Sequence, residues 1–388
     1  MSLLATIGLS QAVDGREAGL QAMQQALDQA GRAPVAFAWL VVSHLDPVQQ
    51  VVAGATELLG DIPLIGFSTS AALTASGKSR RSVAVALLCG DEVKGRSNWW
   101  PDFVKDSRLC TQNMLASLAP DERQGEALFV VADGINGDAD SLCKAVASRK
   151  VPLVGCLSGG ELWRGRTYQV GGRQSGSGGL AAAVLGGEVS IGVGAAHGWQ
   201  PVGAIARLTR VQGPWVRTLD DRQANETYAR LFGYAPREWA YPPLNDLVRL
   251  YPLGLQENGD LVIRSPLRVE ADGSLRMNAI LPEGKLVDLM IGTQQGCLEA
   301  ARRAASQALS ALGGGVPRLA VLLVDAAWGL MLELKPGGEV KAVREILGDD
   351  IPLLGGYTYG QIAHLQPNGP AQLLNQHIVV LLFGSKAK

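Results

Sequence analysis

The chain is predicted to be an α/β protein in which repeated strand–helix–strand units form mixed sheets covered by helices, with an antiparallel insertion in the middle. Three observations predict it. A motif of proline, an apolar pair, glycine and small or hydroxylated residues occurs three times: "DIPLIGFSTSA" from Asp61, "VPLVGCLSGGEL" from Val151 and "DIPLLGGYTYGQI" from Asp350. Each copy sits in the same longer phrase, with an apolar run and an amphipathic segment before it and a second apolar run after it. The stretch 187–290 breaks that pattern with alternating segments.

The first phrase runs "VAFAWLVVSHLD", "PVQQVVAGATELLG", the motif, then "SVAVALLCG". The second runs "EALFVVADG", "DADSLCKAVASRK", the motif, then "GGLAAAVLGG". The third runs "PRLAVLLVDAAWG", "GGEVKAVREILGD", the motif, then "NQHIVVLLFG". A continuous apolar run bounded by turn signals suits a strand covered on both faces. Val51, Ala55 and Leu58 recur at helical spacing and imply a covering helix. Proline at the start of the next strand removes no needed donor. Gly66, Gly155 and Gly355 allow a neighbouring backbone to come close.

In the middle stretch "ARLTRVQGPWVRTLDD" reads as strand, turn and strand, and "RQANETYARLFG" as a short helix. "LVIRSPLRVEADGSLRMNAILPEG" alternates around the hairpin signal "ADGS". A long helix from about Thr293 to Leu312 ends in three glycines. The proline- and aromatic-rich stretch from Tyr234 to Pro243 marks a boundary between domains 1–235 and 236–388.

A length of 388 residues suits about two or three domains. With 47% hydrophobic and 18% charged residues the chain is globular and not disordered. A net charge of −1 gives no basic surplus for nucleic acid. No apolar run approaches the roughly 20 residues of a membrane span, and the opening residues lack a signal-peptide pattern. The expectation is a soluble, cytoplasmic protein with no membrane insertion. Cys89, Cys110, Cys143, Cys156 and Cys297 are odd in number and form no CxxC pair, which argues against a disulfide framework or zinc knuckle.

Enzyme signatures fail on spacing. "TASGKS" at Thr74–Ser79 resembles the end of a phosphate-binding loop, but Ala72 stands where the first glycine is required and a strand follows in place of a helix. "GCLSGGE" puts its glycine three residues before Ser158, one too many for a nucleophile elbow. The expectation is therefore a protein that is not an enzyme.

Across the three motifs Thr69, Ser158 and Thr358 coincide, followed by Ser70, Gly159 and Tyr359. Small residues open space, while hydroxyls, amides and aromatic faces orient a guest. Ser158, Glu161, Tyr357, Tyr359 and Gln361 are thus candidate pocket residues. Asp133 and Asp325 end equivalent strands, where α/β sheets gather ligands. The competing reading makes the motif tails tight strand connections and both aspartates turn caps.

The segments "VPLVGCLSGGEL", "HGWQPVGAIARLTRVQGPWVRTLDDRQANETYARLFG" and "IPLLGGYTYGQIAHLQPNGPAQLLNQHIVVLLFG" resemble a FIST protein, a two-part bacterial sensory module. Gly198, Trp199, Pro201, Gly203, Leu219, Asp220 and Ala224 carry the central part of the likeness. Gln361 departs from the usual glutamate, and Asn375-Gln376-His377 from the usual N-x-T. The resemblance implies a sensor acting on a signalling partner. For its NosP group it implies haem, nitric oxide and a partner histidine kinase. A haem iron needs an axial ligand, for which His197 beside Trp199 ranks first, before His44 and His364, with His377 read as a core residue. The alternatives are a sensor of an amino acid or other metabolite, and a hydrolase or transferase using Asp133 or Asp325 with Ser158. A homodimer through an exposed hydrophobic strip is not decided by periodicity.

Overall fold

The computed structural model describes residues 3–43, 47–121, 125–147, 151–257, 260–365 and 369–386. The apolar runs become strands, and the chain builds the same unit three times. Unit 1 is β1 (Leu4–Ser10), α1 (Gly15–Ala30), β2 (Val35–Val42), α2 (Val48–Leu59), β3 (Leu64–Ser68), the hairpin β4 (Ala72–Thr74) and β5 (Gly77–Ser79), and β6 (Val83–Cys89). Unit 2 is β7 (Val93–Trp100), α3 (Ser107–Leu118), β8 (Ala127–Ala132), α4 (Ala139–Ala147), β9 (Leu153–Leu157), β10 (Gln169–Gly171), β11 (Gln174–Gly176) and β12 (Leu180–Gly187).

Unit 3 opens with β13 (Ser190–His197) and is then interrupted. The insert comprises β14 (Trp199–Gln212), β15 (Trp215–Leu219), β16 (Arg222–Gln223), α5 (Ala224–Phe232), α6 (Leu244–Leu247), β17 (Leu253–Glu257), β18 (Asp260–Arg264), β19 (Pro266–Val269), β20 (Leu275–Met277) and β21 (Leu286–Gly292). Unit 3 resumes with α7 (Gln294–Ala311), β22 (Val316–Asp325), α8 (Ala326–Met331), α9 (Gly338–Leu347), β23 (Leu353–Thr358), β24 (Gly360–His364), β25 (Ala371–Leu374) and β26 (His377–Ser385). The repeat therefore starts one strand and one helix earlier than the sequence phrases suggest. The extra strand is hard to read because it lies at a sheet edge. In β7, for example, only Val93 is fully buried, and β13 is cut off from its helix by the insert.

The three sheets run β1-β6-β2-β3-β10-β11, β7-β12-β8-β9-β24-β25 and β13-β26-β22-β23-β4-β5. Each unit therefore lends its hairpin to the next sheet in a closed cycle: unit 2 to unit 1, unit 3 to unit 2, unit 1 to unit 3. The central pairs β2–β3, β8–β9 and β22–β23 are parallel, and the remaining strands join antiparallel. The motif glycines fit this pairing. A Cβ on Gly66, Gly155 or Gly355 would stand 2.4, 2.0 or 2.5 Å from the carbonyl oxygen of Leu40, Val130 or Leu322 on the parallel neighbour.

Alternation along each strand sets two layers. Phe37, Trp39 and Val41 face a core shared by all three units, while Ala38, Leu40 and Val42 face α1 and α2. On the shared side Trp39, Phe129 and Phe383, one ring from each unit, stack at centroid distances of 4.6, 5.7 and 6.5 Å. Their burial contributes roughly 1.5–3 kcal/mol each. The insert forms an eight-stranded antiparallel sheet, ordered β18-β17-β21-β14-β15-β20-β19 with β16 on β15. It has a separate core containing Tyr228, Trp239, Leu255 and Met277. No helix among the described residues is long and apolar enough to cross a membrane.

Candidate functional site

The motif tails meet at one end of the three sheets and bond to one another. Thr69 Oγ1 accepts the Tyr357 N–H (2.8 Å) and lies 2.9 Å from the Tyr357 oxygen. The Gly159 N–H donates to Ser68 O (2.9 Å), and Ser68 Oγ donates to Gly159 O (2.8 Å). The Tyr359 N–H donates to Leu157 O (2.9 Å). Every corner is thus tied to the other two. A backbone group buried here has no water to turn to, so the cycle satisfies donors that would otherwise be costly.

The polar side chains predicted to line a pocket belong to this hub. Ser158, Thr358 and Gln361 are fully buried, and Tyr357 and Tyr359 nearly so. Asp133 accepts from the Ile135 and Asn136 amides (3.0 and 2.9 Å) and from Thr167 Oγ1 (3.0 Å), fixing the turn after β8. Asp325 caps the Ala327 amide (3.0 Å) and accepts from the Gln376 amide (2.8 Å). Burial pushes its pKa up to about 6. Ser43 holds the corresponding place in unit 1, its Oγ accepting the Ser82 N–H (3.0 Å). The Gln361 amide is turned to donate to His377 O (3.2 Å) and accept from the Asp325 N–H (3.2 Å). Tyr357 donates to the buried Glu339 carboxylate (2.5 Å) and Tyr359 to Gly160 O (2.5 Å). Glu161 is separate from them, exposed and paired with Arg164 at 3.2 Å. The expected hollow is corrected accordingly: the corners do converge, but their polar atoms are spent on each other. An apolar void of about 30 Å³ lies nearby, lined by Trp39, Phe67, Phe129, Cys156, Leu323 and neighbours, with no polar side chain to orient a ligand.

His44 lies outside the described residues. His364 uses both ring nitrogens, Nε2 accepting from the Leu153 N–H (3.1 Å) and Nδ1 bonded to Gly369 O (2.6 Å). His197 Nδ1 accepts the Trp199 N–H (3.3 Å), which engages that nitrogen's lone pair and favours the ring proton on Nε2. His377 faces His197 across β13 and β26, ring centroids 4.8 Å apart. Its Nδ1 donates to Asn375 O (2.7 Å), and burial lowers its pKa to about 3. Trp199 is a buried anchor: its Nε1 donates to Leu250 O (3.1 Å), and its ring packs 6.3 Å from Trp328. Neither cavity described here is lined by a histidine. Among the described residues, no histidine stands in a cavity with a ring nitrogen free for a haem iron.

A larger cavity lies in the insert. About 220 Å³ opens between α5 and strands β14, β17 and β21. Its floor is apolar, with Ala206, Leu219, Leu253, Val287 and Leu289, while Asp220, Arg222, Thr227 and Arg230 stand at its rim. Asp220 gives one oxygen to the Arg207 N–H (2.8 Å). Arg222 and Arg230 are exposed and have no ion-pair partner among the described residues. The residue-by-residue reading did not predict this groove, because its two arginines look like ordinary surface charges in sequence. Leu219 and Asp220, which carry the family resemblance, were the available signal. The five cysteines are free and buried, and burial pushes the Cys89 and Cys110 thiols up to about 11, away from reactivity.

Comparison with known proteins agrees with the resemblance. A family model described as the FIST N domain matches residues 36–222, and one described as the FIST C domain matches residues 224–364. No curated protein matches the chain. Among solved structures, a cyanuric acid hydrolase from A. caulinodans aligns over 99% of this chain and 100% of its own, at 10% identity and a TM-score of 0.39. A second cyanuric acid hydrolase aligns over 100% of both chains at 8% identity and a TM-score of 0.35.

Proposed function

Because this chain is a FIST N domain followed by a FIST C domain, and so a signalling sensor of small ligands, we propose that its ligand is a zwitterion of the amino-acid class held in the groove of the insert. One observation carries the reading: an apolar floor with one carboxylate and two unpaired guanidinium groups at its rim. Arg222 and Arg230 suit a ligand carboxylate, Asp220 suits an ammonium, and the floor suits an apolar side chain. The cavity volume falls below the roughly 300–1,000 Å³ of drug-sized sites, in keeping with a small metabolite. Binding would fix α5 against the sheet, and a signalling partner would read that difference in population. The resemblance to the NosP group supports a histidine kinase as that partner. The proposal is of binding without turnover, since Asp133 and Asp325 spend their oxygens on turn and cap hydrogen bonds.

Thermal-shift measurement of the intact chain against the common amino acids tests this. A saturating ligand at a hundredfold its Kd stabilises by about 2.7 kcal/mol. At least one amino acid is expected to raise the melting temperature, and Arg222→Ala with Arg230→Ala to abolish the rise. A panel without any stabilising member overturns the reading. Haem sensing nitric oxide, which rests on the resemblance alone, has its own arm: a Soret band after haem reconstitution that shifts with nitric oxide would replace the amino-acid reading.

A further inference from the structure

Two arginines among the described residues are more than nine-tenths buried, and they differ. Arg264, 6% exposed, donates to Leu373 O (2.8 Å) and lies 3.6 Å from the Asp140 carboxylate. Arg276, 8% exposed, has no carboxylate partner among the described residues. Its Nη2 donates to Ile135 O (3.0 Å) and Asn136 Oδ1 (3.1 Å), both in the turn after β8. Its Nη1 is buried with no hydrogen-bond partner. The guanidinium lies 4.5 Å from the centroid of the Trp215 ring, which limits where that nitrogen can point.

A second observation is independent of the first. The strand register sets Arg268 directly opposite Arg276. Like charges in that position destabilise a sheet. One carboxylate stands beside the pair and is bonded to Arg268, not to Arg276: Glu270 Oε1 accepts from Arg268 Nε and Nη2 (3.2 and 3.1 Å) and from Trp215 Nε1 (3.3 Å). The neighbouring Arg217 is bound to Asp272. A buried cation with no carboxylate bonded to it, facing a second cation that takes the one nearby acid, is a costly arrangement unless an anion completes it.

We propose that the seam between β19–β20 of the insert and the turn after β8 is an oxyanion site, with Arg276 Nη1 as the buried anchor and Arg268 as the outer contact. The ligand class is a small carboxylate or phosphate. Because Arg276 belongs to the insert and its other nitrogen holds the unit 2 turn, an anion here bridges insert and ring. The site is distinct from the groove, and the inference stands whether or not an amino acid binds there.

The test titrates the full chain with inorganic phosphate and, separately, acetate, at ionic strength held constant with chloride, by thermal shift and calorimetry. Saturable binding of one of them is expected, and the anion that binds identifies the source. Arg276→Gln should weaken it by about tenfold or more, the scale of a lost charged hydrogen bond. Arg268→Gln should weaken it by a smaller factor, and it provides the answer if Arg276→Gln fails to fold. Arg173→Gln, at an exposed site, should leave it unchanged. Neither anion binding saturably, or saturable binding that Arg268→Gln and Arg276→Gln both retain, would overturn the inference.

Discussion

The hub of the ring and the groove of the insert use similar residue types to opposite ends. In the hub, Thr69, Ser158, Asp133, Asp325 and Gln361 are buried and hydrogen-bonded inside the protein, Thr69 across to unit 3 and the other four within their own units. In the insert, Asp220, Arg222 and Arg230 sit at the edge of open space. Polar groups that are satisfied internally specify a fold, whereas polar groups left facing a cavity are free to specify a ligand. The hub is the place to look for what holds this protein together, and the insert for what it senses.

The largest effect that could break this contrast is at Gly159. A Cβ there would stand 2.0 Å from Tyr357 O, within the corner cycle, where the backbone has no room to move. Gly159→Val should cost more than about 4 kcal/mol or prevent folding, as read from urea unfolding or soluble yield. A variant of wild-type stability would show that the corners are not interlocked as described.

A smaller effect comes from proton linkage. The Asp325 pKa is raised to about 6, so the folded state holds its proton more tightly than the unfolded state. That contribution to stability is fully present only below the ordinary value of 3.8 and falls by about 3 kcal/mol as the pH rises through 6. His377, lowered to about 3, acts in the opposite direction: it lowers stability at acid pH, and the loss is relieved as pH rises towards 6.5. Asp325→Asn keeps a capping side chain and removes the falling component. Urea midpoints between pH 4 and 6 should therefore climb more steeply in the variant than in wild type. Parallel curves would place Asp325 in contact with water, and with that the hub would cease to be closed.

The smallest effect is expected in the insert. Arg222→Ala with Arg230→Ala should change unfolding free energy by no more than about 0.5 kcal/mol, while removing any ligand response. A large loss of stability would mean that these arginines hold the insert together and are not free for a guest.

Much of the fold was legible because it is encoded locally. Apolar runs such as Val83–Cys89 are buried at every position, and the proposed covering segments fold as α2, α4 and α9. The helix expected from about Thr293 to Leu312 also forms, as Gln294–Ala311. What residue types leave open at the motif tails is the fate of their hydroxyls and amides. Thr69 and Ser158 suit a pocket and a backbone staple equally well as residue types, and only the partner decides between them. His197 shows the same limit, because its ligand capacity depends on which ring nitrogen meets the Trp199 amide.

The sequence by itself determined the strand and helix segments, the threefold repetition and the glycine at each close approach, since each rests on residue spacing within a few dozen positions. Only the tertiary structure decided that each hairpin crosses into the neighbouring sheet, as Ala72–Thr74 does on Gly356–Leu354, nearly 300 residues away. It also decided that Arg276 faces Arg268 with no acid bonded to it among the described residues. Strand pairing and charge environment are properties of distant segments meeting in space, so no local pattern records them.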